Sequence, residues 1–496
     1  MPSESTMSIL HRTLVLAAAM LLVCVAAADD FKFPDTTTGK RMADFLAAIN
    51  SGDQEKAKAF IMENVAAAAL ERRPLKERLA VYQDILEDTG GISPVKVLAT
   101  SDDKTTLRAK TRNGEMLELT FEFEPKPPHK LISVQFRPIA PGLDELPLGK
   151  LTDDQIIKAL GSYMDKIVAD DKFSGVVLLA KEGKPIFHQA YGYASLRFQV
   201  PNKLDTKFNL GSMNKMLTSV SICQLAEQGK LSFDDPIIKH LPDYPNKAVA
   251  EKVTIHHLLT HTGGLGHYWN EKFRNKMPTL RTVSDFLPLF VDEPLRFEPG
   301  SQMFYSNAGF IVLGLIIEKV SGQTYYDYVR EHVCKTAGMK NTDSYDTDLI
   351  VPNLAIGYTF QSSVPGPQAK SAKPVRRENF YLHAVKGGPA GGGYSTAEDL
   401  LAFAAALREH RLLNSKYTTL ATTGKVQMGP DGKYAYGFGD FTVKGHRHIG
   451  HSGGAPGISA DFRDYLDLGY TAIVLSNYDG AAQLPSRQIE ALLTHQ

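Results

Sequence analysis

From Gly39 to Gly91 apolar residues recur at helical spacing. Met42, Phe45, Leu46 and Ile49 share one face of a first helix that Ser51-Gly52-Asp53 ends. Ala57, Phe60 and Ile61 open a second, and Leu79, Tyr82 and Leu86 mark a later one. The period then drops to two: Val95 to Thr100, Thr105 to Thr111, Met116 to Phe123 and Leu131 to Phe136 read as strands, with Asn113-Gly114 as a hairpin turn. Helices followed by an antiparallel meander predict a small α+β domain over 30–138, its helices packed on a curved sheet. The Pro-Gly, Leu-Pro and Leu-Gly breaks that follow predict a linker over 139–150.

A second region, 151–496, opens with a helix over Asp153 to Ile167 and a hairpin of Gly175 to Lys181 and Pro185 to Tyr193 turning at Glu182-Gly183-Lys184. The segment from Ser212 to Gln228 is apolar nearly all round, the pattern of a centrally buried helix, and Gly229 ends it. Further apolar helices are expected over Gly309 to Val320 and up to Leu407, the latter capped by Thr396 with Asp399. Tyr434 to Val443, Arg447 to Ser452, Ile458 to Leu466 and Tyr470 to Ser476 read as four strands, and Gln483 to Leu493 as a last helix.

Composition narrows the classes. Lys plus Arg equals Asp plus Glu, 55 each, so no global field favours nucleic acid or an anionic membrane. At the N-terminus, His11 and Arg12 precede an apolar run from Leu14 to Val25, and Ala26-Ala27-Ala28 supplies small residues for cleavage. This reads as an export signal over 1–28 and predicts a periplasmic or secreted protein, with an uncleaved anchor as the lesser alternative. Cleavage would leave Cys223 and Cys334; Cys223 lies inside the apolar helix as a small hydrophobe, and pairing is not legible from spacing.

The candidate chemistry begins at Gly211-Ser212-Met213-Asn214-Lys215. A serine and a lysine three apart on a helix share a face, so the amine can take the hydroxyl proton. A serine in the first turn of a buried helix also faces free N–H groups and the positive dipole end, which stabilise an oxyanion. Ser101-Asp102-Asp103-Lys104 has the same spacing but no buried helix behind it. Tyr244, Tyr268 and Tyr305 each begin a Tyr-x-Asn triplet, and context selects Tyr305-Ser306-Asn307, between the Glu298-Pro299-Gly300 turn and an apolar helix. His451-Ser452-Gly453-Gly454, with Gly450, also spells the G-x-S-x-G of a nucleophile elbow. A strand rather than a helix follows it, however, and the only later histidine is His495. His257 and His261 are four apart, yet no Glu follows the first and no third ligand is apparent, so no metal and no cofactor is expected. The run Gly387 to Gly393 lacks a preceding strand with phosphate-loop spacing, so backbone access to a cleft is its plainer use.

The order S-x-x-K, Y-x-N, H-S-G resembles the serine β-lactamase and penicillin-binding protein superfamily, most of all its class C β-lactamase-like branch of esterases, D-stereospecific peptidases and DD-carboxypeptidases. The resemblance covers about Leu151 to Gln496 and includes the block Leu258-Leu259-Thr260-His261-Thr262-Gly263-Gly264-Leu265. It implies an antiparallel sheet flanked by helices, a mainly helical subdomain between the halves, and a site in the cleft. It implies Ser212 as acylated nucleophile, Lys215 as its proton partner, and Tyr305 as general base or proton shuttle with a pKa lowered by nearby positive charge. Asn307 would orient Lys215 and the substrate amide, and the N–H groups of Ser212 and Gly454, beside Gly453, would form an oxyanion hole. His451 departs from the pattern, since a fixed lysine usually stands there to hold a substrate carboxylate, and histidine is largely neutral at pH 7. The expected activity is therefore hydrolysis of a small ester or amide, with a DD-carboxypeptidase or weak β-lactamase, and a non-catalytic penicillin-binding sensor, as alternatives. A small-molecule or peptide substrate is the expected partner, and the sequence does not specify an oligomeric state. By element order alone, 30–138 is similar to the cone-shaped ketosteroid-isomerase-like superfamily.

Overall fold

The computed structural model describes residues 31–114, 116–139, 146, 149–361, 375–429 and 432–495. The export signal and most of the linker read from the sequence lie outside them. The chain divides into two compact units, 1–139 and 140–496. Among the described residues no helix is long and apolar enough to cross a membrane.

In the first unit four helices, α1 (Thr37–Ser51), α2 (Gln54–Asn64), α3 (Ala67–Arg72) and α4 (Leu75–Thr89), precede an antiparallel meander. Its strands are β1 (Ile92–Thr100), β2 (Lys104–Thr111), β3 (Met116–Phe123) and β4 (Leu131–Ile139), in that order. The Thr36 hydroxyl accepts from the Gly39 amide to start α1, and the Asp53 carboxylate accepts from Glu55 and Lys56 amides to start α2. Alternate residues Leu107, Ala109, Leu117, Leu119, Phe121 and Phe123 face the helices. Phe45 of α1 meets both Phe121 and Tyr82 edge-on at 5.4 Å. β4 continues three residues beyond the expected Phe136, because Met116 pairs with Ile139.

The second unit is built on an antiparallel sheet of eight strands among the described residues. α5 (Asp153–Ala169) leads into the hairpin β5 (Gly175–Lys181) and β6 (Lys184–Tyr191). The other strands come from the far end of the chain: β7 (Val426–Gln427), β8 (Gly432–Tyr434), β9 (Gly439–Val443), β10 (His446–Ala455), β11 (Ile458–Tyr465) and β12 (Tyr470–Ser476). Their order across the sheet is β7-β8-β9-β10-β11-β12-β5-β6, so the first hairpin docks on the last strand. Between the two halves lie mainly helices, including α6 (Asn214–Glu227), α7 (Asn307–Ser321) and α8 (Ala397–Arg408). Val176, Leu178 and Ala180 of β5 belong to the core shared with α6, α7 and α8. Val177 and Leu179 are just as buried and point the other way, toward the face that α5 and α9 (Gln483–Leu493) cover.

One expected strand is wrong. Tyr434 to Val443 is a hairpin, β8 and β9, with Tyr434 paired to Gly439 and a turn at Ala435–Phe438. The turn tip rests on α6. Gly437 has φ +69, and a Cβ there would lie 2.1 Å from Ser219 Oγ and 2.7 Å from the Lys215 carbonyl oxygen, so only glycine admits the approach.

β10 sets the site by having a long free edge. Its pairing with β9 stops at Gly450, whereas pairing with β11 runs on to Ala455. The edge beyond Gly450 is met by the turn Gly211–Met213 that leads into α6: a Cβ on Gly453 would fall 1.9 Å from the Leu210 carbonyl oxygen and 3.1 Å from the Ser212 nitrogen. Gly453→Ala is expected to force strand and turn apart at a cost of about 1–3 kcal/mol, read as a lower urea midpoint. Unchanged stability would contradict this close approach.

Candidate functional site

Ser212 sits in a single 3-10 turn, Gly211–Met213, continuous with α6, and lines a cleft of about 780 Å³. α6 is buried from Asn214 to Ala226, as its all-round apolar pattern requires. Lys215 is therefore carried into the interior and has no solvent exposure. Its Nζ donates to Asn307 Oδ1 at 2.7 Å and to the Ala390 carbonyl at 2.5 Å, and lies 3.3 Å from Ser212 Oγ. Burial holds its pKa well below the usual lysine range. A neutral amine has two N–H groups, which the two carbonyl oxygens take, and one lone pair, which is left for the Ser212 hydroxyl proton.

The Gly-rich run completes this arrangement through its backbone. The consecutive carbonyls of Gly388, Pro389 and Ala390 accept from Asn214 Nδ2 (3.1 Å), Thr218 Oγ1 (2.8 Å) and Lys215 Nζ. They tie the loop to one face of α6.

Tyr305-Ser306-Asn307 enters through a backbone zipper between the Leu258 to Leu265 block and the segment 296–308. Arg296 N–H donates to the Gly264 carbonyl at 2.9 Å and Gly300 N–H to that of Thr262 at 2.8 Å; Ser306 Oγ donates to the Gly266 carbonyl at 2.8 Å. Ser306 then caps α7, accepting from the Gly309 amide. Asn307, in the first turn, has Oδ1 on Lys215 and Nδ2 on His267 Nδ1 at 3.3 Å. The Lys215 Nζ lies 4.8 Å from the centre of the Tyr305 ring, whose buried hydroxyl neighbours Ser212 outside normal hydrogen-bond geometry. The expected lowering of the Tyr305 pKa is overturned: desolvation raises it, and only the Ser212 hydroxyl opposes that rise. The positive charge that was to lower it is missing because Lys215 is itself pushed toward the neutral amine.

Across the cleft, Gly454 lines the same cavity as Ser212, and Gly453 abuts the Ser212 turn. His451 Nδ1 lies 2.5 Å from the Ser452 carbonyl and so carries the proton; Nε2 is left to accept from the Tyr434 hydroxyl at 3.0 Å. Burial above all lowers its pKa to about 3. The side chain is a neutral acceptor, not a cation. Ser452 is exposed in the middle of β10, opposite Asp461, in no elbow. Of the rejected Tyr-x-Asn triplets, Tyr244 is core, whereas Tyr268 and Trp269 line the cleft and Asn270 caps a helix over Glu271–Lys276. His267 and Tyr434 had no motif to single them out, whereas Ala390 lies in the Gly-rich run Gly387 to Gly393. Cys223 and Cys334 are both buried and free, and no metal-holding group of side chains exists among the described residues.

With this geometry in place, the comparisons decide the family. The β-lactamase family model matches residues 160–495. The chain belongs to the β-lactamase family. Within this family of serine hydrolases, a penicillin-binding protein of Bacillus subtilis (strain 168) is 32% identical over 332 residues, spanning 64% of this chain and 71% of that one. The crystal structure of a penicillin binding protein from Bacillus halodurans is 37% identical, with a TM-score of 0.59 over 66% of this chain and 98% of that one. D-amino acid amidase from Ochrobactrum anthropi SV3 shares the fold at 23% identity, TM-score 0.58, over 68% and 99% of the two chains. The expected antiparallel sheet with flanking helices and a helical insertion is the β-lactamase fold found here.

Nitrogen chemical shifts of His451 are expected to report one neutral Nδ1–H tautomer from about pH 5 to 8. Titration near its ordinary value would show that Tyr434 and burial do not control it.

Proposed function

We propose that residues 151–496 act as a secreted serine hydrolase that cleaves small esters or amides through a covalent acyl-enzyme on Ser212. One observation carries the reading: Lys215 is buried, its Nζ is hydrogen-bonded to two carbonyl oxygens, and it lies 3.3 Å from Ser212 Oγ. Ser212 Oγ attacks the substrate carbonyl and its proton passes to Lys215 Nζ. The N–H groups of Ser212 and Gly454 receive the oxyanion. On collapse the carbonyl–leaving-group bond breaks, and the departing oxygen or nitrogen takes a proton through the Tyr305 hydroxyl, which burial keeps protonated. Lys215 resupplies that proton. Water then hydrolyses the ester on Ser212.

The cleft wall supports a bulky substrate. Tyr268, Trp269, Phe273, Phe286 and Phe380 line it, and the charged residues among its described lining are Arg274 and Lys386, the latter paired with Asp346. With His451 neutral, nothing at the lysine position of the family motif fixes a substrate carboxylate, which favours esters and amides over penicillins. Similarity to penicillin-binding proteins supports the second reading, a DD-carboxypeptidase or weak β-lactamase.

Nitrophenyl esters, a chromogenic cephalosporin and D-Ala-D-Ala peptides separate these readings. Ester turnover is expected to exceed the other two, to vanish in Ser212→Ala and to drop by about 10²-fold or more in Lys215→Ala. Turnover that survives Ser212→Ala would sink the assignment, and stoichiometric labelling without turnover would point to a sensor.

The lysine also sets a pH signature. Only the neutral amine accepts the proton, so kcat/KM should rise with pH through the depressed Lys215 pKa and be lost as pH falls below it. An ascending limb at the ordinary lysine value, about 10.4, would rule out Lys215 as the base.

A further inference from the structure

We infer that His261 is the positioning residue that holds Tyr305 and Asn307 over Ser212; the inference rests on the acyl-transfer reading above. His261 is 1% exposed and is not among the residues that line the cleft. Its backbone carbonyl accepts from the Phe304 amide at 2.9 Å, and its ring Nδ1 accepts from the Ser306 amide at 3.0 Å. The amides of the two residues that flank Tyr305 in sequence thus end on one residue. The same ring lies 4.3 Å from the Tyr305 ring, 4.6 Å from that of Tyr434 and 5.2 Å from that of Phe310. Since Tyr434 also holds His451, one imidazole backs the Tyr-x-Asn side and the strand side of the cleft together.

Two costs show what this residue is there to do. His261 has φ +60, a left-handed conformation that an L side chain seldom adopts. That conformation lets the carbonyl and Nδ1 of one residue reach amides two positions apart on the facing segment. Because Nδ1 accepts, the ring proton sits on Nε2, which is buried and makes no hydrogen bond. An apolar ring would fill the volume without stranding a donor. What the imidazole adds is the Nδ1 acceptor for Ser306. Losing it leaves the Ser306 amide unpaired next to Asn307 and frees Tyr305 to rotate away from Ser212. The group to be misplaced acts on proton transfer rather than on substrate binding, so the defect belongs in kcat.

The test compares His261→Leu with His261→Asn in the full chain, using a nitrophenyl ester and Ser212→Ala as the blank. Asn places Oδ1 where Nδ1 stands and tolerates the left-handed backbone. His261→Leu is expected to lower kcat by roughly 30-fold or more with KM within about 3-fold, since small misplacements of a working group cost up to about 10²-fold. His261→Asn should recover kcat to within about 5-fold of the original protein. Equal losses in both variants at an unchanged melting temperature would overturn the inference, as would a change confined to KM. If His261→Leu does not fold, His261→Asn decides alone: near-full kcat supports the acceptor role, and a loss of about 30-fold in a folded variant refutes it. Turnover that persists in Ser212→Ala would instead refute the acyl-transfer reading, so the two failures are distinguishable.

Discussion

Everything around the cleft is arranged by the burial of one amine. A charged lysine deep in a protein is costly unless it is paired with an anion, and the hydrogen-bond partners of Lys215 are an amide oxygen, a peptide carbonyl and a hydroxyl. The cheaper state is the neutral amine, and the environment is shaped to it. Its partners lie 92 and 175 residues away in sequence. The basicity of this group is consequently a property of three segments brought together, not of the pentapeptide that contains it.

That constraint dictates how the supporting elements meet. α6 must be buried on every side, so the sheet, α7 and the helices over Val329–Cys334 and Ser415–Thr422 all pack on it, and the β8–β9 turn can reach it only because Gly437 has no Cβ. The Gly-rich run brings carbonyls instead of side chains. β10 abandons β9 after Gly450, which leaves an edge for the Ser212 turn to occupy. Each of these is an interruption of regular structure, and each lies where a main-chain group approaches Ser212 or Lys215.

The groups that face Ser212 are quiet electrostatically, and the charged residues among the cleft's described lining are Arg274 and Lys386. His451 accepts from Tyr434 and stays neutral, Tyr305 stays protonated, and aromatic rings furnish much of the lining. A low-dielectric cleft of this kind would strengthen the dipoles proposed to receive the oxyanion, the N–H groups of Ser212 and Gly454. It also makes the titration of each group depend on its neighbours: the same burial that lowers Lys215 raises Tyr305, so their protons are held apart in the order that the proposed acyl transfer needs.

Local pattern was enough to determine much of the chain. The four-stranded meander, the all-round apolar α6 and the α9 boundaries follow from period, caps and turn residues, all short-range quantities. The order of Ser212-x-x-Lys215, Tyr305-x-Asn307 and His451-x-Gly453 along the chain is likewise a sequence fact, and it is what linked 151–496 to its family. Tertiary structure alone decided the rest. Tyr434 to Val443 alternates like one strand, but its middle turns and rests on α6 at Gly437. The pKa of Tyr305 was misjudged because its expected neighbouring charge is removed by burial that no single segment encodes. His261 read as a failed metal ligand, and its two amide contacts come from a loop some 45 residues onward. Spacing along the chain can identify groups that may act together; desolvation and direction depend on the segments that close around them, and those are long-range.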